Sequence, residues 1–68
     1  MSKLPSSQLI INVLKRHGFE FVSQRGSHKK FRKGERTVIV ADPRKEIPIG
    51  TLRSILRQSG LTLQDFKE

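Results

Sequence analysis

The apolar residues change their spacing twice along the chain, and this change constrains the fold more than any other feature of the sequence. They recur at helical spacing up to Gly18, alternate residue by residue between Phe19 and Ala41, and return to helical spacing after Gly50. Side chains share a face about every 3.6 residues in a helix and about every 2 in a strand. The sequence therefore predicts helices flanking a group of strands, in a single domain over residues 1–68.

The first helix is predicted from Ser7 to His17. A serine at its start accepts hydrogen bonds from the free amides of the first turn, and Gly18 readily adopts the left-handed conformation that commonly ends a helix. The inner face of this helix is expected to carry Leu9, Ile10, Val13, Leu14 and His17.

Three β-strands are predicted next, and the last of them is β-branched almost throughout, which is typical of strands. Short turns that each contain a glycine separate them, so the strands are expected to form an antiparallel sheet. In the first strand, Phe19, Phe21 and Ser23 are expected on one side. The predicted strands are Phe19–Gln24, His28–Arg32 and Thr37–Ala41, with turns at Arg25–Ser27 and Lys33–Glu35.

A second helix is predicted after a loop at Asp42–Ile49, beginning near Gly50 and ending at Gly60. Both helices are amphipathic, so the simplest arrangement buries their apolar faces on one side of the sheet and leaves the other side in water. The predicted fold class is α+β in the order α-β-β-β-α, followed by a capped short turn from Thr62. The inner face of the second helix is expected to carry Leu52, Ile55, Leu56 and Ser59.

Phe31 indicates which side of the second strand is buried, because it is the only large apolar residue there. Alternation then places His28, Lys30 and Arg32 together on the solvent-facing side. An imidazole, with an ordinary pKa of about 6.5, both gives and takes protons near neutrality. Cations beside it would hold a phosphate and stabilise negative charge building on phosphorus. These are parts for metal-free RNA cleavage by the adjacent 2′-hydroxyl, with His28 as acid or base and phosphate contacts at Arg25, Lys29, Lys30 and Arg32.

Charge and composition exclude several classes of protein. Lys and Arg number 14 and Asp and Glu 6, a formal charge of +8 that favours polyanionic partners. The absence of cysteine excludes disulfides, thiolate zinc sites and cysteine nucleophiles. No apolar run reaches the length of a membrane span, or of a signal peptide after the basic Met1–Lys3, so a cytoplasmic protein without membrane contact is expected. The acidic residues are scattered, so neither a metal site nor a cofactor is expected.

Several other polar residues have plainer explanations. His17 lies at the end of the first helix, where a cation is favoured, and a structural role is expected for it. Ser27 adjoins His28 but points to the opposite face, so it is not a candidate nucleophile. Arg53 and Arg57 form a like-charge pair on one helix face, which a bound anion or simple solvation would explain equally well. With no Trp or Tyr and four Phe largely in the core, contacts are expected with phosphates rather than bases.

Three sequence blocks carry a resemblance to a known family. Gly26-Ser27-His28-x-x-Phe31 is followed by Gly50-Thr51-Leu52-Arg53-x-Ile55 and by Gln58-x-Gly60-Leu61. In this order and at this spacing, the blocks make the chain resemble the HicA, or YcfA-like, family of small mRNA-interferase toxins. The likeness extends from about Gln8 to Phe66.

The resemblance implies a double-stranded-RNA-binding-domain-like fold and ribosome-independent cleavage of mRNA by a toxin of a type II toxin–antitoxin system, with His28 as the single catalytic residue. The implied protein partner is a HicB antitoxin, whose small domain covers the active site. Many members carry another histidine in the loop after the third strand, where this chain has Asp42. A role for that histidine is not transferred, so one imidazole must act alone or with a water. RNA contacts are expected at Arg25, Gly26, Ser27, Lys29, Lys30 and Arg32.

Two other functions remain open. A non-catalytic RNA-binding module of the same fold typically presents a Lys-Lys-x-Ala-Lys cluster at the start of its last helix, whereas this chain has Gly50-Thr51-Leu52-Arg53 there. A protein-interaction module would use the positive face for an acidic partner and bind no nucleic acid. Measuring RNA binding and RNA cleavage by the purified chain separates both from a nuclease.

Overall fold

The computed structural model describes residues 4–67 and contains two helices and three strands. Their order confirms the predicted α-β-β-β-α fold. The basic segment Met1–Lys3 lies outside the described residues. Within residues 4–67, no helix combines the length and the apolarity needed to cross a bilayer. The elements are α1 (Ser7–Arg16), β1 (Glu20–Arg25), β2 (His28–Lys33), β3 (Arg36–Ala41), α2 (Ile49–Ser59) and a 3₁₀ turn at Leu63–Phe66.

Helix α1 matches its prediction to within one residue. The Oγ of Ser6 accepts a hydrogen bond from the N–H of Leu9 at 3.1 Å, which satisfies an amide left free at the start of a helix. At the other end Gly18 has a φ of +93°, and His17 caps the helix instead of forming its last residue. The buried stripe is wider than predicted, because it includes Ile11, which is 4% exposed.

The strands form one antiparallel sheet in the order β1-β2-β3. A β-bulge interrupts β1 between Phe21 and Ser23 and leaves Val22 as the extra residue. Beyond the bulge, Ser23 pairs with Lys30 and lies on the open side of the sheet. The prediction that Ser23 shares a side with Phe21 is therefore wrong, because the extra residue reverses the alternation.

Both hairpin turns are two residues long, one fewer than predicted. Gly26–Ser27 joins β1 to β2, and Gly34–Glu35 joins β2 to β3. Gly26 has a φ of +60° and Gly34 a φ of +59°, a backbone conformation that tight hairpin turns require and that glycine adopts without strain.

The core lies on one side of the sheet, between the sheet and the two helices. Phe31, Val38 and Val40 form its sheet side, each at most 1% exposed. Ile47 is also buried, although it lies in the loop between β3 and α2 and no apolar period marks it. The N–H of Ile47 donates to the carbonyl of Pro5 at 2.8 Å, which fixes this loop to the chain before α1. The rest of the core consists of Ile10, Ile11, Val13, Leu14, Phe19, Leu52, Ile55 and Phe66.

The two edges of the sheet differ in their cover. The N–H of Ile39 in β3 donates to Oε1 of Gln58 at 3.3 Å, so α2 protects part of that edge. All six residues of β1 are exposed, with Phe21 at 51% and Val22 at 48%. The β1 edge is therefore open to solvent.

Helix α2 begins at Ile49, one residue earlier than predicted, and ends at Gly60 with a φ of +73°, as predicted. A Cβ atom placed on Gly60 would lie 2.6 Å from Cζ of Arg36. The guanidinium group of Arg36, the first residue of β3, thus lies directly against the end of α2.

The capping signal at Thr62 is confirmed. The N–H of Thr62 donates to Oδ2 of Asp65 at 2.8 Å, and the N–H of Asp65 donates to Oγ1 of Thr62 at 3.3 Å. These hydrogen bonds hold the pKa of Asp65 below its usual value. The turn that they stabilise places Phe66, 3% exposed, in the core.

Candidate functional site

His28 begins the central strand and projects from the open side of the sheet. It is exposed and is paired with Arg25 of β1 and with Ala41 of β3. Directly opposed residues of antiparallel strands have Cβ atoms about 4.5–5.5 Å apart. The imidazole therefore has a basic side chain on one side and only a methyl group on the other, which leaves it accessible to a large ligand.

The bulge in β1 brings Arg25 beside His28. With uninterrupted pairing, Gln24 would oppose His28. The extra residue Val22 shifts the pairing by one position, so Arg25 takes that place. The sequence predicts Arg25 in a turn, and it gives no local signal of this neighbourhood, because a bulge depends on the register between two strands.

Lys30 and Arg32 follow His28 on the same side of β2. Both are exposed, whereas Phe31 between them is 1% exposed, so the predicted alternation is confirmed. Alternate residues of a strand are about 7 Å apart, a distance similar to that between successive phosphates of an extended RNA strand. Glu20 is paired with Arg32, so uncompensated positive charge is greatest at the His28 end of the row.

The turn before His28 is held from two directions. Nε2 of Gln24 donates to the carbonyl of Gly26 at 2.8 Å, and the N–H of Asp42 donates to the carbonyl of Ser27 at 2.7 Å. No heavy atom lies within 4 Å of the position that a Cβ on Gly26 would take. The turn is thus ordered, and its backbone is open to close approach from outside.

Lys29 points to the covered side of the sheet. Its Nζ lies 2.8 Å from Oδ2 of Asp42, and the two side chains are 29% and 15% exposed. The hydrogen bond from Lys29, with a second from Ser7, holds the pKa of Asp42 below its usual value. The structure thus separates Lys29 from the four residues that it brings together on the open face, which are Arg25, His28, Lys30 and Arg32.

His17 lies near the opposite end of β2 from His28. A Cβ placed on the adjacent Gly18 would lie 3.3 Å from Cε of Lys33, and Lys33 is the last residue of β2. Six residues of strand span about 17 Å from first to last. The two histidines therefore do not form a catalytic pair.

The open face presents positive charge and an imidazole but no aromatic ring. Phe19, Phe31 and Phe66 are buried, and Phe21 makes an edge contact with the ring of Phe31, with centroids 5.8 Å apart, on the covered side. In the described part of the chain, no three His, Asp or Glu side chains come together as a metal site. The face is therefore suited to contacts with a phosphate backbone and not to base stacking.

An apolar groove lies on the helix side of the molecule, away from this face. It has a volume of about 1090 Å³, and its apolar lining includes Leu4, Leu9, Ile49 and Leu63. His28 is not among the lining residues, so the imidazole lies on an open surface instead of in this groove.

Comparison with known proteins gives one informative result. None of the curated proteins matches the chain significantly. The sequence profile of the HicA toxins of bacterial toxin–antitoxin systems matches residues 8–61, about four fifths of the chain. The match begins in the first turn of α1, includes β2 with its histidine, and ends just after Gly60. The chain is accordingly a member of the HicA toxin family of bacterial toxin–antitoxin systems.

Proposed function

We propose that this toxin is an endoribonuclease that cleaves mRNA without a metal ion and uses His28 as its single catalytic histidine. Membership of the HicA family makes the chain a toxin with an antitoxin partner. The observation that supports the catalytic role is the exposed position of His28 on the open face. There it lies beside Arg25 of β1 and two residues before Lys30 of β2.

The proposed reaction is an internal transfer at phosphorus. The 2′-oxygen of the ribose forms a bond to the adjacent phosphorus, and the bond from phosphorus to the 5′-oxygen of the next nucleotide breaks. Neutral His28 takes the proton of the 2′-hydroxyl, and the resulting imidazolium returns a proton to the leaving 5′-oxygen, directly or through a water. General acid–base catalysis of this kind contributes about 10²–10⁴-fold to a rate.

Arg25 is the proposed contact to the scissile phosphate. It is the cation paired directly with His28, and a guanidinium donates two parallel hydrogen bonds to phosphate oxygens. Fixed donors at this position would stabilise the charge that grows on those oxygens in the transition state. Gly26 and Ser27 are further proposed contacts, since both are exposed and no heavy atom lies within 4 Å of the position of a Cβ on Gly26.

Lys30 and Arg32 are the proposed contacts to the phosphates that follow along the strand. Since Glu20 faces Arg32, Lys30 is expected to contribute more to binding than Arg32. We leave Lys29 out of the proposed contacts, because it is paired with Asp42 on the covered side. Binding through phosphates alone would make affinity depend strongly on salt and weakly on sequence.

The proposed antitoxin is of the HicB type and covers the face that carries His28. This face is cationic, so the covering segment is expected to be acidic, because charge complementarity speeds association and excludes wrong partners. A toxin that acts on mRNA would work in the cytoplasm, which is the location that we propose.

The test compares the purified wild type with His28→Ala on a labelled RNA, with His17→Ala as the matched control. We expect His28→Ala to lower the cleavage rate by about 10²–10⁴-fold with an unchanged circular dichroism spectrum, and His17→Ala to remain active. Cleavage by the wild type is expected to persist in EDTA.

Three results would contradict the proposal. Full activity of His28→Ala would remove the histidine from the mechanism, and strict dependence on Mg²⁺ would contradict the metal-free reaction. Binding of RNA by the wild type without cleavage after long incubation would identify a non-catalytic RNA-binding module.

A further inference from the structure

Asp42, the first residue after β3, makes contacts with both chain neighbours of His28. Its backbone N–H donates to the carbonyl of Ser27 at 2.7 Å. Its Oδ2 accepts from Nζ of Lys29 at 2.8 Å. The first contact uses the backbone of Asp42 and holds the turn before His28, whereas the second uses its carboxylate and anchors the end of the Lys29 side chain.

Asp42 is itself fixed by the start of α1. Oγ of Ser7, a residue only 1% exposed, donates to Oδ1 of Asp42 at 2.6 Å. The same Oγ accepts from the N–H of Arg44 at 2.8 Å, and the N–H of Ser7 donates to the carbonyl of Arg44 at 3.0 Å. These hydrogen bonds hold the loop after β3 against the helix, so Asp42 has little freedom to move.

The negative charge of Asp42 is favourable beside the first turn of α1. The first turn of α1 contains no acidic residue, and a negative charge is favourable near the positive end of a helix dipole. The carboxylate supplied by the loop provides that charge through Ser7. It also compensates the charge of Lys29, whose side chain is partly buried.

Asp42 acts on His28 through the backbone and not through the imidazole. Lys29 and His28 are consecutive residues of a strand, so their side chains point to opposite faces. Within residues 4–67, the side chain of His28 takes part in none of the hydrogen bonds of this network. The backbone on either side of His28 sets the direction of its Cα–Cβ bond, and this is the route by which Asp42 reaches the histidine.

We propose that Asp42 is a positioning residue for His28: its carboxylate ties the loop to Ser7 and pairs with Lys29, and so keeps its own backbone N–H in place against Ser27. The structural part of this inference stands on the contacts alone, and its catalytic consequence rests on the proposed function. Asp42 also keeps the charge of Lys29 on the covered side, away from the RNA. Loss of Asp42 would therefore disturb turnover while leaving RNA binding intact or stronger.

The decisive variants are Asp42→Ala and Lys29→Met, which keeps the alkyl stem of the lysine and removes its charge. Glu46→Gln is the matched control, because it removes one negative charge from the same loop at an exposed position. Asp42→Asn keeps the size of the side chain and one acceptor for Ser7, so it provides a folded variant even where alanine destabilises the loop.

The first measurement is NMR of the two histidine rings and of the amides of Ser27 and Lys29. In Asp42→Ala or Asp42→Asn we expect the His28 ring and both amides to shift, while the His17 ring keeps its wild-type signals. Glu46→Gln should leave all of these signals unchanged. Wild-type signals for His28 in a folded Asp42 variant would overturn the inference, whether or not the protein cleaves RNA.

The second measurement separates kcat from KM on RNA. We expect kcat of Asp42→Ala to fall by about tenfold or more, because small misplacements of a catalytic group are costly, with KM unchanged or lower. Lys29→Met should reproduce part of the fall in kcat, and Glu46→Gln should behave as wild type. An unchanged kcat in Asp42→Ala, where His28→Ala is inactive, would refute the positioning role and leave the proposed function standing. Activity in His28→Ala would refute the proposed function, and the NMR measurement would still decide whether Asp42 positions His28.

Discussion

The two ends of β2 both carry positive charge, but the fold uses that charge in different ways. At the first end, Arg25 and Lys30 are exposed on the open face beside His28. At the other end, Lys33 packs over Gly18 and Arg36 packs over Gly60. Gly18 follows α1 and Gly60 follows α2, so the second pair of cations covers the ends of both helices.

This difference shows that a net charge of +8 does not describe one binding surface. The carboxyl end of a helix carries partial negative charge, and a cation there is stabilising. A glycine at such an end leaves space that a long cationic side chain fills, with the end of the Lys33 side chain at Gly18 and the guanidinium group of Arg36 at Gly60. Lys33 and Arg36 therefore serve the fold, and the cations near His28 remain available to a polyanion.

The largest effect that separates the two ends is expected from Arg25→Ala. Loss of one charged hydrogen bond, worth about 1.5–3 kcal/mol, would lower kcat/KM on RNA by about 10–150-fold. Thermal unfolding should be unchanged, because Arg25 is exposed at the end of β1. Arg36→Ala is the matched control and should cleave RNA like the wild type. Equal losses of activity in the two variants would show that the cations at both ends of β2 serve RNA cleavage alike.

A smaller effect, on stability alone, is expected from Gly60→Ala. A side chain at this positive φ costs about 1–2 kcal/mol, and it must also displace the guanidinium of Arg36. Urea unfolding measures the change. Gly50→Ala, in the same helix with no atom near the new Cβ, should be neutral or stabilising. A Gly60→Ala variant as stable as the wild type would show that the contact between Gly60 and Arg36 does not stabilise the protein.

The smallest effect is expected from Lys33→Ala. A cation near a helix carboxyl end contributes about 0.3–1 kcal/mol, and salt weakens it. We therefore expect a small loss of stability that shrinks in high salt, with normal RNA cleavage. Lys33→Met separates the charge from the stem that packs over Gly18. Lys30→Ala should show the reverse pattern, with weaker RNA binding and unchanged stability.

The orientation of His28 was predictable because its cause is local. Phe31 must be buried, and side chains alternate along an uninterrupted strand such as β2, so one apolar residue determines the side on which His28, Lys30 and Arg32 lie. The two helices follow from local signals as well, since their apolar spacing agrees with the serine before α1 and with the glycine after each helix.

The remaining parts of the site depend on contacts between distant parts of the chain. The neighbour of His28 in β1 is set by the extra residue Val22, and nothing in the alternation of β1 marks a bulge. Asp42 and Ser7 are 35 residues apart, and no spacing rule connects a serine in a first helical turn with an aspartate after a strand. Ile47 is buried in a loop that its hydrogen bond to Pro5 holds in place, and it belongs to no periodic pattern.

The bulge at Val22 has a second consequence for a sheet whose β1 edge is uncovered. A flat, regular edge strand invites pairing with another molecule, and natural sheets resist this with bulges and with charges on the edge. Strand β1 has both, because the bulge lies between Glu20 and Arg25. The irregularity that turns Arg25 toward the histidine therefore also lowers the tendency of the protein to aggregate edge to edge.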